Sequence, residues 1–303
     1  MAEEEKKDIE KEPWKDWEVR DFCGVFSSKD IMFKAIDEID ARYQSKGNGS
    51  TDSIITGFSW LEFEKDELIV LGARPSIGKT AFILSLMSKL ILDKKLSVGF
   101  IDPGLVDNTK IGFRLLAIDS GVPLAKIRSG MLKTQDVKKL QVSANKFFYS
   151  NFYLYNEPNV CFTDLKDTII NMTMEQHIQI LFIDNFKYIR EAVDADEKTL
   201  RTRLNYLLSE FKHLAEELHI PIVIAMELPE TKKNEEPSME DFMKTMIIPE
   251  IADKVLFLHR NRLLDAPLSQ DAKLILAKNN SGWTGEFDLK FYPLISKFTN
   301  RNE

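Results

Sequence analysis

The chain has 303 residues, with 41 Lys+Arg against 48 Asp+Glu for a formal net charge of −7, and it is 44% hydrophobic and 10% aromatic. That length is enough to bury a real core and fits one large α/β domain with or without an appendage, and the composition excludes a mainly disordered or collagen-like chain. No apolar run approaches the roughly 20 residues of a membrane span, the N-terminal MAEEEKKDIEKE lacks the apolar stretch of a secretory signal, and two cysteines (Cys23 and Cys161) provide neither a disulfide framework nor a four-cysteine zinc site. A cytoplasmic protein with no membrane partner is expected. The net acidity neither demands nor excludes nucleic acid, since a local basic face is compatible with a negative total.

Residues 1–28 mix charge with Trp14, Trp17, Phe22 and Phe26 and read as a tail. From Ser28, taken as N-cap, Ile31, Ala35, Ile36 and Ile39 recur at helical spacing, so 29–44 is expected to be a short amphipathic helix. SKGNGSTDS (45–53) is rich in Gly, Ser and Asn and reads as a flexible linker, which leaves 54–303 for the main domain. Strands are then expected at 68–72, 97–101, 152–155, 180–184 and 221–226, and helices at 80–92, 110–118, 134–149, 163–177 and 198–218. Further strands are expected at 255–259, 272–277 and 286–292. This order predicts an α/β fold whose central sheet is mostly parallel and flanked by helices, with antiparallel strands at one edge.

The strongest chemical signal leaves the strand at 68–72 and runs into a helix: Ala73-Arg74-Pro75-Ser76-Ile77-Gly78-Lys79-Thr80-Ala81. It is a phosphate-binding P-loop with Ala73 at the first glycine position. The backbone N–H groups present within 75–80 are expected to wrap a phosphate at the helix N-terminus, Lys79 to supply a point charge, and the Thr80 hydroxyl to hold Mg²⁺. Ile180-Leu181-Phe182-Ile183-Asp184, a hydrophobic strand ending in an acid, is the matching Walker B candidate, with Asp184 as the second Mg²⁺ group. A nucleotide-binding protein using ATP and Mg²⁺ follows.

Further strings accompany these two: Thr56-Gly57-Phe58 with Leu61, Arg114-Leu115-Leu116-Ala117, FKHLAEELHIPIVIA (211–225), Ala252-Asp253-Lys254-Val255-Leu256-Phe257-Leu258-His259-Arg260, and LILAKNNSGWTGEFDLKF (274–291). In this order and spacing, from about 54 to 299, the chain resembles the C-terminal motor domain of DnaB-type replicative DNA helicases. The resemblance implies a RecA-like P-loop NTPase fold and a ring, usually of six subunits, with ATP between neighbours and pore loops gripping single-stranded DNA. It implies that the helix at 29–44 corresponds to the helix linking motor and scaffold domains. It also places Lys278 where a basic residue reaches the neighbouring subunit's γ-phosphate. The large N-terminal scaffold domain of full-length members has no counterpart in the resemblance.

The departures from that family fall on chemistry. Helicases carry a glutamate in Ser-Leu-Glu-Met after the second strand, to activate water. Here the segment is Phe100-Ile101-Asp102-Pro103-Gly104-Leu105, and Asp102 is the nearest carboxylate and the candidate substitute base. The usual glutamine sensor is Glu227, whose carboxylate would repel a γ-phosphate unless protonated or bound to metal. The arginine finger falls at Asn280, a loss that costs roughly 10³–10⁵ in turnover in related phosphoryl transfer. The pore-loop segment Asp241-Phe242-Met243-Lys244-Thr245-Met246-Ile247-Ile248 is apolar, with Met243 for the phosphate-gripping arginine; such a cluster is expected to pack on protein, while Lys244 remains able to meet a phosphate.

The other singular residues carry bland expectations. His213 and His219 read as surface or packing residues, His259 as structural, the cysteines as simple thiols, and Trp283 as a contact or packing group. Lys232 and Lys233 sit among Glu230, Glu235 and Glu236 and make a poor nucleic-acid patch. Two functions are therefore expected to compete. One is an ATPase coupled to single-stranded DNA translocation and unwinding in replication. The other is a catalytically weakened nucleotide-binding paralogue acting as a regulatory or adaptor protein on a replication-protein partner.

Overall fold

The computed structural model describes residues 27–45, 53–59, 61–104, 107–193, 199–230, 235–244, 249–261 and 270–302. The tail aromatics, most of the linker, Lys232 and Lys233, and the pore-loop residues 245–248 lie outside them, as do the side chains of Met243 and Lys244. The chain divides into two units, Met1–Ile54 and Ile55–Glu303.

The first unit contains helix α1, Ser28–Ser45. Its cap is Ser27 rather than Ser28: the Ser27 hydroxyl accepts from the Asp30 N–H at 3.3 Å while the Asp30 carboxylate accepts from the Ser27 N–H at 2.8 Å. This reciprocal pair puts the carboxylate in the first turn, where the helix dipole favours it.

After the short strands β1 (Ser53–Ile55) and β2 (Glu62–Glu64), the second unit alternates strand and helix. Its strands are β3 (Leu68–Ala73), β4 (Val98–Ile101), β5 (Phe152–Tyr155), β6 (Ile180–Ile183), β7 (Ile222–Glu227), β8 (Lys254–His259), β9 (Gln270–Asn279), β10 (Gly285–Tyr292) and β11 (Lys297–Asn300). Its helices are α2 (Lys79–Leu92), α3 (Asn108–Ser120), α4 (Leu124–Ser129), α5 (Thr134–Phe148), α6 (Phe162–Gln176), α7 (Arg190–Val193), α8 (Leu200–Leu218) and α9 (Met239–Lys244). The strands form one nine-stranded sheet in the order β11-β10-β9-β8-β3-β7-β6-β4-β5. Pairing is parallel from β8 through β5 and antiparallel from β8 through β11, as the sequence predicts.

The parallel strands read as unbroken apolar runs because helices cover both faces. On one face Leu68, Val70, Leu181, Ile183, Ile222, Ile224 and Phe257 join Phe162, Leu165, Leu207 and Phe211 from α6 and α8 in a single core. The alternate strand residues point to the other face, where buried Phe82 of α2 packs against Phe58 and, edge-to-face at 5.8 Å, Phe298 of β11. Short α4, α9 and β11 are absent from the sequence expectation, and β9 runs longer than 272–277. Six-residue helices and a four-residue strand offer too little of a period to register.

Parallel pairing aligns the strand C-termini, so the loops after β3, β4, β6 and β7 open at one edge, where α/β sheets bind ligands. Ala73, the last residue of β3, is directly opposite Glu227, the last of β7.

Candidate functional site

The loop after β3 is built for an anion. Gly78, the residue before α2, has φ +110°, a conformation glycine adopts without a Cβ penalty, and Ser76 is also at positive φ. The turn aims the first-turn N–H groups of α2, which have no intrahelical acceptor, at one point beyond the helix end. Ala73 stands where a glycine is usual because that position is ordinary extended strand, buried and without positive φ, so a methyl group fits.

Two cationic side chains set this loop from behind. Arg260, at the end of β8, donates to the carbonyls of Ile77 at 2.5 Å and Ser76 at 3.2 Å, stacks on Phe291 and reaches Gln270. These bonds fix the turn that leads into α2, within which the Ile77 N–H donates to Arg74 O. Arg74 turns its guanidinium to Pro229 O at 2.9 Å, Glu235 O at 3.3 Å and the Asp241 carboxylate at 3.3 Å, so its side chain binds protein while its backbone belongs to the loop.

In front of the loop, Thr80 Oγ1 donates to Asp184 Oδ2 at 2.5 Å, and Lys79 Nζ is 3.7 Å from Asp184 Oδ1. Asp184 is fully buried at the end of β6. One hydroxyl and one carboxylate of hard oxygen character, converging at a helix N-terminus, fit Mg²⁺ that brings phosphate and water as its remaining ligands. The described residues contain no cluster of three or more His, Cys, Asp or Glu to hold a metal by themselves.

Asp102, 2% exposed, follows β4 beside Asp184. Its Oδ1 accepts from Asn185 Nδ2 at 2.7 Å and Gly104 N–H at 3.2 Å. Burial, reinforced by the Asp184 charge, raises its pKa above the usual aspartate value despite the two hydrogen bonds. A buried carboxyl so shifted suits proton transfer. Arg114 of α3 lies in the field of both carboxylates; burial, then Arg128, lower its pKa, and its Nε is buried without a hydrogen-bond partner among the described residues.

Glu227, the predicted liability, faces Lys187, with Glu227 Oε1 3.1 Å from Lys187 Nζ. Both residues, with Lys79, Asn185 and Met226, line a cavity of about 140 Å³ beside the phosphate loop. Lys278 lies elsewhere: its Nζ donates to Glu250 O at 2.9 Å and Ala252 O at 2.6 Å. Asn280 donates to Asp253 through both its N–H and its amide. The structure thus brings Lys79, Thr80, Asp102, Asp184 and Glu227 to one edge of the sheet, while Lys278 is bonded to the carbonyls of Glu250 and Ala252 ahead of β8.

Several bland expectations match the side-chain environment. His213 and His219 are exposed, with His219 on Asp66, while His259 is buried and its pKa lowered by that burial. Half-exposed Trp283 rests on Phe287, and Phe242 is fully buried against Phe257. Sequence reasoning passed over Lys187, Asn185 and Arg260 as site residues. The only signal for the first two was their position within three residues of Asp184.

A family model described as DnaB-like helicase C terminal domain matches residues 47–300. The chain is 29% identical over 275 residues to the replicative DNA helicase DnaB of Treponema pallidum (strain Nichols), covering 89% of this chain and 60% of that one. It is 25% identical to the replicative DNA helicase DnaC of Bacillus subtilis (strain 168), covering 90% and 61%, and 25% identical to the DnaB of Geobacillus stearothermophilus, covering 93% and 63%. The chain therefore spans about three fifths of the length of these relatives. Among solved structures, one described as an ATPase domain aligns with TM-score 0.73 at 19% identity, over 88% of this chain and 98% of that one. A DnaB-like replicative helicase described with its primase interactions aligns with TM-score 0.72 at 17% identity, over 90% and 70%.

Proposed function

The chain belongs to the DnaB-like helicase C-terminal domain family, and from that membership we propose that it binds ATP with Mg²⁺ and couples hydrolysis to movement along single-stranded DNA, unwinding duplex in replication. The observation that carries this reading is the convergence of Lys79, Thr80 and Asp184 at the N-terminus of α2, with the hydroxyl–carboxylate pair at 2.5 Å. Mg²⁺, when bound there, would supply positive charge that offsets the phosphates. Lys79 places a positive charge on the phosphates, and the α2 amides hold them. Thr80 and Asp184 hold the ion. Asp102, with Oδ1 engaged by Asn185 and Gly104, takes the proton of the attacking water on Oδ2.

A ring of six copies working on single-stranded DNA in the cytoplasm, with a replication protein as partner, completes the proposal. The helicase described with primase supports the partner class. The adaptor reading is not favoured, since the matched relatives are replicative helicases.

The test is steady-state ATP hydrolysis with and without single-stranded DNA, for the chain and for Lys79→Ala, beside an ATP-binding titration. DNA-stimulated turnover that Lys79→Ala removes supports the motor. Tight binding without turnover overturns it in favour of an adaptor, and unchanged ATP binding in Lys79→Ala undoes the phosphate-site assignment.

A further inference from the structure

Lys187 and Glu227 form an ion pair on the rim of the cavity that Lys79 also lines. Their side chains are 54% and 43% exposed, and an ion pair in that much water is weak and easily exchanged. A surface ion pair with no further role would look the same in isolation; its position differs. Glu227 ends β7 opposite Ala73, so its carboxylate stands at the start of the phosphate loop. Lys187 sits in the 3₁₀ turn Phe186–Tyr188, two residues past Asn185. Lys79 and Lys187 are the two cations of the cavity wall, and Lys79 is already held near Asp184.

Resting on the ATP reading above, we propose that Lys187 is the cation that distinguishes a nucleoside triphosphate from a diphosphate, and that Glu227 parks it when no terminal phosphate is present. A terminal phosphate entering the cavity repels Glu227 and attracts Lys187. A charge-assisted bond to a phosphate oxygen is stronger than a half-solvated carboxylate contact, so the lysine exchanges partners. The released Glu227 continues into Leu228, whose N–H is bonded to Ala73 O, and then into the segment that Arg74 grips. No covalent step is involved. Glu227 thus acts as a counter-ion to a neighbouring lysine, and its carboxylate does not stand uncompensated against the phosphate.

The experiment is equilibrium binding, with Mg²⁺, of ADP and of a non-hydrolysable ATP analogue to the full chain and to Lys187→Gln, Lys187→Arg and Glu227→Gln. Lys187→Gln is expected to weaken the analogue about tenfold and ADP less than twofold, with Lys187→Arg restoring most of the difference. Glu227→Gln is expected to tighten the analogue several-fold without changing ADP. An unaltered ratio of the two affinities in Lys187→Gln, with both nucleotides bound normally by the parent chain, overturns this inference alone. Failure of the parent chain to bind either nucleotide overturns the ATP reading and this inference together.

Discussion

Arg74, at the second residue of the phosphate loop, is bonded to Asp241 of α9, 167 residues away, with only 11% and 4% of the two side chains exposed. Two further bonds from the same guanidinium, to Pro229 and Glu235 carbonyls, make the loop and the segment leading into 245–248 one hydrogen-bonded unit. The loop and the N-terminal end of α9 therefore share one guanidinium.

Removing the guanidinium separates binding from coupling. Arg74→Ala is expected to leave nucleotide affinity within a few-fold, because the side chain faces away from the α2 N-terminus, yet to abolish stimulation by single-stranded DNA. The buried Asp241 carboxylate loses its cationic partner but keeps the Ser238 N–H, so the variant is expected to lose about 1–2 kcal/mol of stability. Binding titrations and chemical denaturation of the same variant check both statements. A variant that loses nucleotide first shows that the guanidinium serves phosphate after all.

Gly72 is where β3 meets α9. A Cβ built there lies 2.8 Å from Phe242 Cζ and 3.0 Å from Phe257 Cδ1. Both rings are fully buried and 5.2 Å apart, so neither has room to withdraw. Gly72→Ala is expected to destabilise by about 1–3 kcal/mol through overpacking. Adding Phe242→Leu, which shortens the clashing ring, is expected to recover part of that loss, visible as a favourable coupling in a double-mutant cycle by denaturation.

Local patterns exposed the phosphate site and not its supports. The loop is contiguous, so Gly78-Lys79-Thr80 and the apolar strand before it are visible together, and Asp184 follows because a buried strand ending in an acid is itself a local pattern. The partners of Arg74, Arg260 and Lys278 are not local. Arg260 reaches Ile77 across 183 residues because β8 lies beside β3, and strand order is a consequence of the whole core. Glu227 illustrates the consequence: read alone it is a repulsive carboxylate, and only the 3.1 Å contact with Lys187 shows how its charge is balanced.

Lys278 carries the same lesson into an experiment. Its ammonium satisfies the carbonyls of Glu250 and Ala252, on the chain that returns from 245–248 into β8. Lys278→Ala is expected to lower stability by about 1–2 kcal/mol through those lost bonds. The loss should be equal at protein concentrations where the chain is monomeric and where it assembles, because both acceptors belong to the same chain. A loss confined to assembled protein, read by thermal unfolding across a dilution series, would place the lysine's principal contact on a neighbouring subunit.

Asp102 is where stability and turnover are expected to oppose each other. Its folded pKa is raised chiefly by burial, so folding favours the protonated form. That contribution is fully present below the unfolded value of 3.8 and is lost as pH rises through the higher folded value, so ionised Asp102 burdens the fold at neutral pH. Asp102→Asn keeps an acceptor for Asn185 Nδ2 and Gly104 N–H and removes the charge beside Asp184. The variant is therefore expected to melt a few degrees higher than the parent at pH 7–8, with the advantage shrinking as pH falls toward 4. It is also expected to turn over ATP at least about a hundredfold more slowly, the usual contribution of a positioned base. Melting curves across pH beside single-turnover rates separate the outcomes. A higher melting temperature with unchanged rate would mark Asp102 as a buried structural acid and send the search for the base to another group.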